Sequence, residues 1–291
     1  MRLLLLFGSI LVLLAAIAGC MGTPASSSYS VDKNGVLSVI CGPVTTTETV
    51  IIANETYTKS KIVMHTSSGD VVCYLATPIE PKAIIVYAPG AGEKLTGHEE
   101  RMVRFATAGY AFLFVDTRGN GAETPGYSFN PQLDYDLYTK GQWPQAYEIV
   151  CDLDSFQRLL ADRFKVPVYA MGSSNGGRYA AIAAATDPAF AGYVGISTSG
   201  FGMVGNQYTG DARKLVLSED PDNYIGRIAP RSVWIMHAKD DPIIPFADGE
   251  QFFRNANEPK TFIEFSGGHG INGDSDAHII AEWAQIYGMR V

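Results

Sequence analysis

An α/β fold, with a mostly parallel sheet of about eight strands and helices on both faces, is what this sequence predicts. Three observations carry it. From residue 71 onward, short β-rich runs alternate with segments of helical periodicity. Most of those runs are continuously apolar, as strands covered on both faces must be. Finally, 291 residues with 46% hydrophobic and 18% charged content are enough to bury one large core.

Taken in order, residues 31–66 are rich in Thr, Val and Ile without helical spacing and predict one or two early strands. Further strands are expected at 71–77, 83–88, 111–116, 168–171, 193–197, 232–237 and 261–265. Between them, Val150, Leu153, Phe156, Leu160 and Phe164 recur every three or four residues, as do Ile279, Ile280, Trp283 and Ile286 near the end. Each set marks one apolar helix face that covers the sheet. Residues 178–185 read as a further helix. The Gly-, Asp- and Asn-rich stretch 200–223 interrupts the alternation and reads as a small cap or loop insertion over a pocket. There is no internal repeat and no change of composition after residue 31, so 31–291 is expected to be one catalytic domain.

The first residues read as an address. Arg2 is followed by an uncharged run over 3–18, then Gly19-Cys20 and a Ser/Thr/Pro stretch over 23–30. The run falls short of the roughly 20 apolar residues a spanning helix needs and fits a signal peptide core. Ile17-Ala18-Gly19-Cys20 resembles a lipoprotein signal-peptidase site, which implies a signal peptide over 1–19, a lipidated Cys20, a tether over 20–30 and an extracytoplasmic, membrane-anchored protein. An uncleaved N-terminal anchor with an incidental Cys20 is the other reading. Both place the catalytic domain outside the membrane.

Setting Cys20 aside leaves Cys41, Cys73 and Cys151, an odd number in a compartment that tolerates disulfides. Cys151 sits in a strong helical pattern and reads as a buried apolar residue, so a Cys41–Cys73 pair is expected. None of the three has metal-ligand spacing. The net charge of −8, without a dense Lys/Arg block, argues against a nucleic-acid partner. Asn54-Glu55-Thr56 matches the glycosylation sequon, a pattern too frequent to decide anything.

The strongest chemical signal is Gly172-Ser173-Ser174-Asn175-Gly176, directly after the apolar run 168–171 and before the helical run 178–185. Small residues on either side permit the sharp strand-to-helix turn that lifts a serine hydroxyl clear of a sheet. The helix that follows points its free N–H groups and positive dipole end at any oxyanion formed there. Downstream, the strand 232–237 ends in Ala238-Lys239-Asp240-Asp241-Pro242, and the strand 261–265 ends in Ser266-Gly267-Gly268-His269. Serine, acid and histidine thus follow different strands and converge only at the C-terminal edge of the sheet, where open α/β sheets place their sites.

Residues from about 70 to 290 resemble the α/β-hydrolase superfamily, close to its dienelactone-hydrolase-like and prolyl-oligopeptidase-like esterases. His237-Ala-Lys-Asp-Asp241-Pro-Ile-Ile-Pro245 is similar to the family's acid loop, and Gly268-His269 to its histidine loop. The resemblance implies Ser174 as nucleophile, His269 as base and Asp241 as the orienting acid, with Asp240 as the alternative acid. It also implies an oxyanion hole from the N–H groups of Ala91 and Asn175, with Gly92 as the alternative to Ala91. Two departures stand out: dienelactone hydrolases carry cysteine where this chain has Ser174, and many members have His-Gly where it has Pro89-Gly90-Ala91-Gly92.

The implied activity is hydrolysis of a small-molecule carboxylic ester, with no cofactor and no metal. Two alternatives remain open: a peptidase or amidase using the same triad, and a lipid-tethered binding protein that has lost turnover. Of the remaining histidines, His278 at the start of the last helix reads as a surface or capping residue. His98 reads as a brace for the oxyanion loop or a solvent-facing residue, and His237 at a strand end as packing. Asp116 to Gly121 resembles the family's structural turn.

Overall fold

The computed structural model describes residues 27–288. The predicted signal peptide, Cys20 and most of the tether lie outside the described residues. The described residues open with a two-stranded antiparallel ribbon, β1 (Ser28–Val31) and β2 (Leu37–Ile40). Its turn forms because Asp32 Oδ1 accepts from the N–H groups of Asn34 and Val36, both at 2.8 Å. β1 begins inside the stretch expected to be tether.

β3 (Thr45–Ala53), β4 (Tyr57–Thr66) and β5 (Gly69–Pro78) form an antiparallel meander. The chain then alternates: β6 (Ala83–Ala88), α1 (Glu99–Thr107), β7 (Tyr110–Val115), α2 (Pro131–Thr139), α3 (Gln145–Phe164), β8 (Val168–Ser173), α4 (Ser174–Thr186), β9 (Gly192–Ile196). α5 (Gly210–Ser218), β10 (Ser232–Ala238), α6 (Phe246–Asn255), β11 (Lys260–Phe265) and α7 (Gly273–Tyr287) complete it. β3 to β11 make one nine-stranded sheet in the order β11-β10-β9-β8-β6-β7-β5-β4-β3, parallel from β11 to β7.

Two layers of helix cover this sheet. α3 and α4 bury Ile149, Val150, Leu153, Phe156 and Ile182 against one face, and α1 and α7 bury Met102, Phe105, Ile279 and Trp283 against the other. β6 and β7 are buried along their whole length, which is why they are apolar without alternation. After β6 the chain adds β7 on one side, then returns to add β8 on the other. Such a reversal opens a crevice at the C-terminal ends of the two diverging strands. The crevice lies between the loop after β6 and the turn after β8.

The expected strands recur with their ends shifted by a few residues at most, and the early region holds four strands where one or two were expected. β3 escaped the pattern because it is the edge strand and exposed throughout, so no buried face imposes a readable period on it. The insertion 200–223 contains α5 and short 3₁₀ turns, and it is tied to the N-terminal ribbon. Arg213 donates to Lys33 O at 2.8 Å and Asn223 Nδ2 to Gly35 O at 3.1 Å.

The disulfide is Cys41–Cys151, with Cα atoms 5.6 Å apart, and not the expected Cys41–Cys73. Cys73 lies on β5 with its side chain turned into the core, fully buried, its thiol against Ile62 O of the neighbouring strand at 3.5 Å. Cys41 leaves the ribbon at the side where α3 presents Cys151, which is half-buried. The bond therefore staples the ribbon to the longest helix.

Candidate active site

β8 passes into α4 without a loop, and Ser174 stands at the junction with φ of 49°, in the left-handed region. That conformation costs a non-glycine residue about 1–2 kcal/mol and is kept where the surroundings enforce it. Here the neighbours do. A Cβ on Gly176 would come within 2.1 Å of Ala88 O, and one on Gly172 within 2.5 Å of the Gly176 backbone, so both flanking positions must be glycine for strand and helix to meet. Thr198 Oγ1, just after β9, donates to Ser174 O at 2.8 Å and fixes the turn. The adjacent Ser173 is fully buried and its hydroxyl is bound to Glu93 and Tyr87.

Asp241 lies in the loop after β10, where its own N–H donates to Ala238 O at 3.2 Å. Oδ1 accepts from the N–H groups of Ile243 and Ile244 at 2.8 and 2.9 Å. Both oxygens also reach His269 Nδ1, at 3.0 and 2.9 Å. Burial pushes the Asp241 carboxyl up, but the Ile244 and Ile243 N–H groups and the His269 ring outweigh it and hold the pKa below its ordinary value. Asp240 is exposed and takes a different partner, the Gly268 N–H at 3.1 Å. It supports the backbone of the histidine loop. Among the described residues no hydrogen bond joins Ser174 Oγ to His269; such contacts are often loose until a substrate is held.

The loop after β6 supplies the facing wall. Gly92, at φ 77°, donates its N–H to Asn120 Oδ1 at 2.8 Å, while Asn120 Nδ2 donates to Gly90 O and Glu93 O at 3.2 and 3.0 Å. Asn120 thus clamps the loop from the turn after β7. Gly92 is thus engaged, whereas the N–H of the exposed Ala91 has no hydrogen-bond partner among the described residues. Asn175 is in the first turn of α4, where N–H groups have no intrahelical acceptor.

The other histidines take structural places. His237 is fully buried, with Nε2 2.9 Å from Ile244 O, and His278 is exposed on α7. His98 is buried and braces the loop after β6: Arg101 Nη1 donates to its Nδ1 at 2.6 Å and its Nε2 lies 3.1 Å from Glu93 Oε2.

Sequence reasoning missed Glu93. Its carboxylate accepts from Gly90 N at 3.0 Å, from the Tyr87 hydroxyl at 3.0 Å and from Ser173 Oγ at 3.0 and 3.2 Å. Burial pushes its pKa up, yet His98, the Gly90 N–H and the Tyr87 hydroxyl bring it down to about 2. Ser173 reaches it from 80 residues further along the chain, a contact that no local pattern announces.

The fold agrees with solved structures. Over 85% of this chain and 90% of that one, it superposes on an acetyl xylan esterase from Paenibacillus sp. R4 with a TM-score of 0.68 at 16% identity. The fold is that of the α/β-hydrolases. Acetyl xylan esterase 1 from Thermoanaerobacterium sp. gives a TM-score of 0.62 at 15% identity, covering 84% of this chain and 87% of that one. A glucuronoyl esterase from Solibacter usitatus gives 0.59 at 12% identity, covering 90% and 89%.

Residues 79–216 match the sequence family described as serine aminopeptidase, S33. A 79-residue stretch is 32% identical to the Escherichia coli K12 protein YfhR, whose description is uncharacterized; it spans 27% of this chain and 28% of YfhR. The chain therefore matches less than a third of that relative's length.

Within this fold, a cavity of about 310 Å³ opens between Ser199–Gly202 and Asp222 on one side and Asp248, Gln251 and Phe252 of α6 on the other. Ser199 directly follows Thr198, whose hydroxyl holds the Ser174 turn. A pocket of about 210 Å³ beside the disulfide, lined by Trp143, Glu148 and Asp152 among others, includes none of Ser174, Asp241 or His269. Among the described residues, no cluster of three His, Cys, Asp or Glu is placed to hold a metal ion.

Proposed function

We propose that this chain is a serine esterase that hydrolyses small-molecule carboxylic esters through an acyl-enzyme. The observation that carries the reading is the strained Ser174 at the start of α4, on the same sheet edge as the Asp241–His269 pair. Ser174 Oγ attacks the ester carbonyl carbon while His269 Nε2 takes its proton, and Asp241 holds Nδ1–H and balances the imidazolium charge. The N–H groups of Ala91 and Asn175 receive the oxyanion. Collapse expels the alcohol, protonated by His269. Water, deprotonated by the same ring, then attacks the acyl group and restores Ser174.

Ester chemistry is favoured by the structural neighbours, acetyl xylan and glucuronoyl esterases, so acetyl esters lead the test. The serine aminopeptidase family match favours a second reading, cleavage of an amide by the same residues. A fluorophosphonate probe and a panel of p-nitrophenyl esters against peptide amides separate the possibilities. Labelling at Ser174, lost in Ser174→Ala, with ester turnover falling by several orders of magnitude, is the expected result. Adduct on Ser173 overturns it.

The reading extends to location: Cys20 is proposed as the lipidated N-terminus of an extracytoplasmic mature chain. The Ile17–Cys20 pattern supports it, and so does the Cys41–Cys151 disulfide, because such bonds persist in oxidising compartments. Mass spectrometry of native protein carrying an intact Met1 overturns it.

A further inference from the structure

Ala91, Ser174 and His269 lie on the segments that follow three different strands, β6, β8 and β11. An ester hydrolase loses rate steeply when such groups drift by an ångström, so something must fix the loops to one another. One chain of buried polar contacts runs through all three. It starts at Asp276 in the first turn of α7, fully buried, which accepts from Arg101 Nε at 2.8 Å and also from Arg104. Arg101 spends its Nη2 on Ile271 O at 3.0 Å, two residues beyond His269, and its Nη1 on His98 Nδ1. With Nδ1 accepting, the ring proton is on Nε2 and faces Glu93. Glu93 then receives Gly90 N, next to Ala91, and Ser173 Oγ, next to Ser174.

The carboxylate is also wedged between two of these loops. A Cβ on Gly90 would lie 3.0 Å from Glu93 Oε1 and 3.2 Å from Ser174 Cβ, and a Cβ on Gly270 would lie 3.4 Å from the same Oε1. We infer that Glu93 is a positioning residue, the hub of an Asp276–Arg101–His98–Glu93 relay that sets the nucleophile turn, the oxyanion loop and the histidine loop in register with one another.

The chemistry of the hub requires a carboxylate. All its partners, Gly90 N–H, His98 Nε2–H, Tyr87 O–H and Ser173 O–H, donate, and two anionic oxygens offer about four acceptor sites. A glutamine presents one acceptor oxygen and turns its NH₂ toward donors. Buried ion pairs such as Arg101–Asp276 add little net stability over apolar packing of equal volume. Their use here is orientation.

The inference rests on the esterase reading, so the test first asks whether wild type labels with fluorophosphonate at Ser174; no labelling overturns that reading itself. Given labelling, steady-state turnover of p-nitrophenyl acetate by full-length Glu93→Gln is compared with wild type. The expected result is a kcat lower by roughly 10- to 100-fold with KM little changed, since the groups that move act on the transition state. If Glu93→Gln does not fold, His98→Leu and His98→Gln decide: Gln keeps a donor toward Glu93 and restores kcat, whereas Leu does not. Wild-type kcat in Glu93→Gln, a loss that tracks only the fraction of folded protein, or equal activity of the two His98 variants overturns the relay.

Discussion

Both carboxylate oxygens of Asp241 lie within 3.0 Å of His269 Nδ1, while the adjacent Asp240 reaches only the Gly268 backbone of the same loop. Neighbouring acids thus divide two tasks: one faces the imidazole, the other its supporting chain. Pro242 restrains the residue before it to extended backbone, and the Ile243 and Ile244 N–H groups grip Oδ1, so the Asp241 carboxylate is fixed before any substrate arrives.

This division predicts unequal mutants. Asp241→Asn puts an amide where the His269 Nδ1 proton is held and is expected to cut ester turnover by roughly 10⁴-fold through the wrong tautomer. Asp240→Asn keeps an acceptor oxygen for Gly268 and is expected to cost less than about tenfold. Both are measured on one activated ester; a large loss at Asp240 with near-normal activity at Asp241 reverses the roles.

The disulfide predicts a stability effect separable from chemistry. Closing a loop of 110 residues stabilises by about 4–5 kcal/mol in the chain-entropy account, and measured values usually fall nearer 2–4. Cys41→Ala should therefore lower the thermal midpoint, and Cys151→Ala should do the same. Combining them should add little, because the bond is already lost. Peptide mapping without reductant should recover the Cys41 and Cys151 peptides linked and Cys73 free.

These outcomes bear on what was legible in the residues. Continuous apolar runs announced β6, β7 and β10 because both their faces are buried, and Gly172 to Gly176 announced the sharp strand-to-helix turn at Ser174 because its sterics demand glycine at fixed positions. β3 stayed hidden because an exposed edge strand has no buried face to impose a period. The Cys41 partner stayed hidden because pairing depends on where the ribbon meets α3, a tertiary fact. Glu93 stayed hidden for the same reason: Ser173 and the His98–Arg101–Asp276 path converge on it only in the folded chain.

The loop after β6 offers a test of its donor. Asn120 holds Gly92 N, Gly90 O and Glu93 O together, beside the Ala91 N–H proposed as an oxyanion donor. Asn120→Ala releases all three contacts without touching Ser174, Asp241 or His269. Turnover is expected to drop by roughly 10–100-fold. Asn120→Asp keeps the acceptor for Gly92 but loses both donors, and should fall between wild type and Asn120→Ala. Equal activity in all three proteins removes Asn120 from the site.

The last prediction concerns acid. The Glu93 pKa is lowered from an ordinary 4.5 to about 2 in the folded protein. A carboxyl with a depressed folded pKa contributes stability that is fully present above its unfolded pKa and is lost as pH falls toward the folded one. The window is therefore about pH 4.5 down to about 2. Other carboxyls act in the opposite sense: burial pushes Glu148 up to about 7, so its contribution weakens as pH rises. The raw stability curve mixes them, and the difference between wild type and Glu93→Gln isolates the term. Chemical denaturation at a series of pH values should show the wild-type advantage constant above about pH 5 and shrinking below it. An advantage independent of pH down to about 3 would mean that Glu93 titrates normally, and that its partners do not hold its charge.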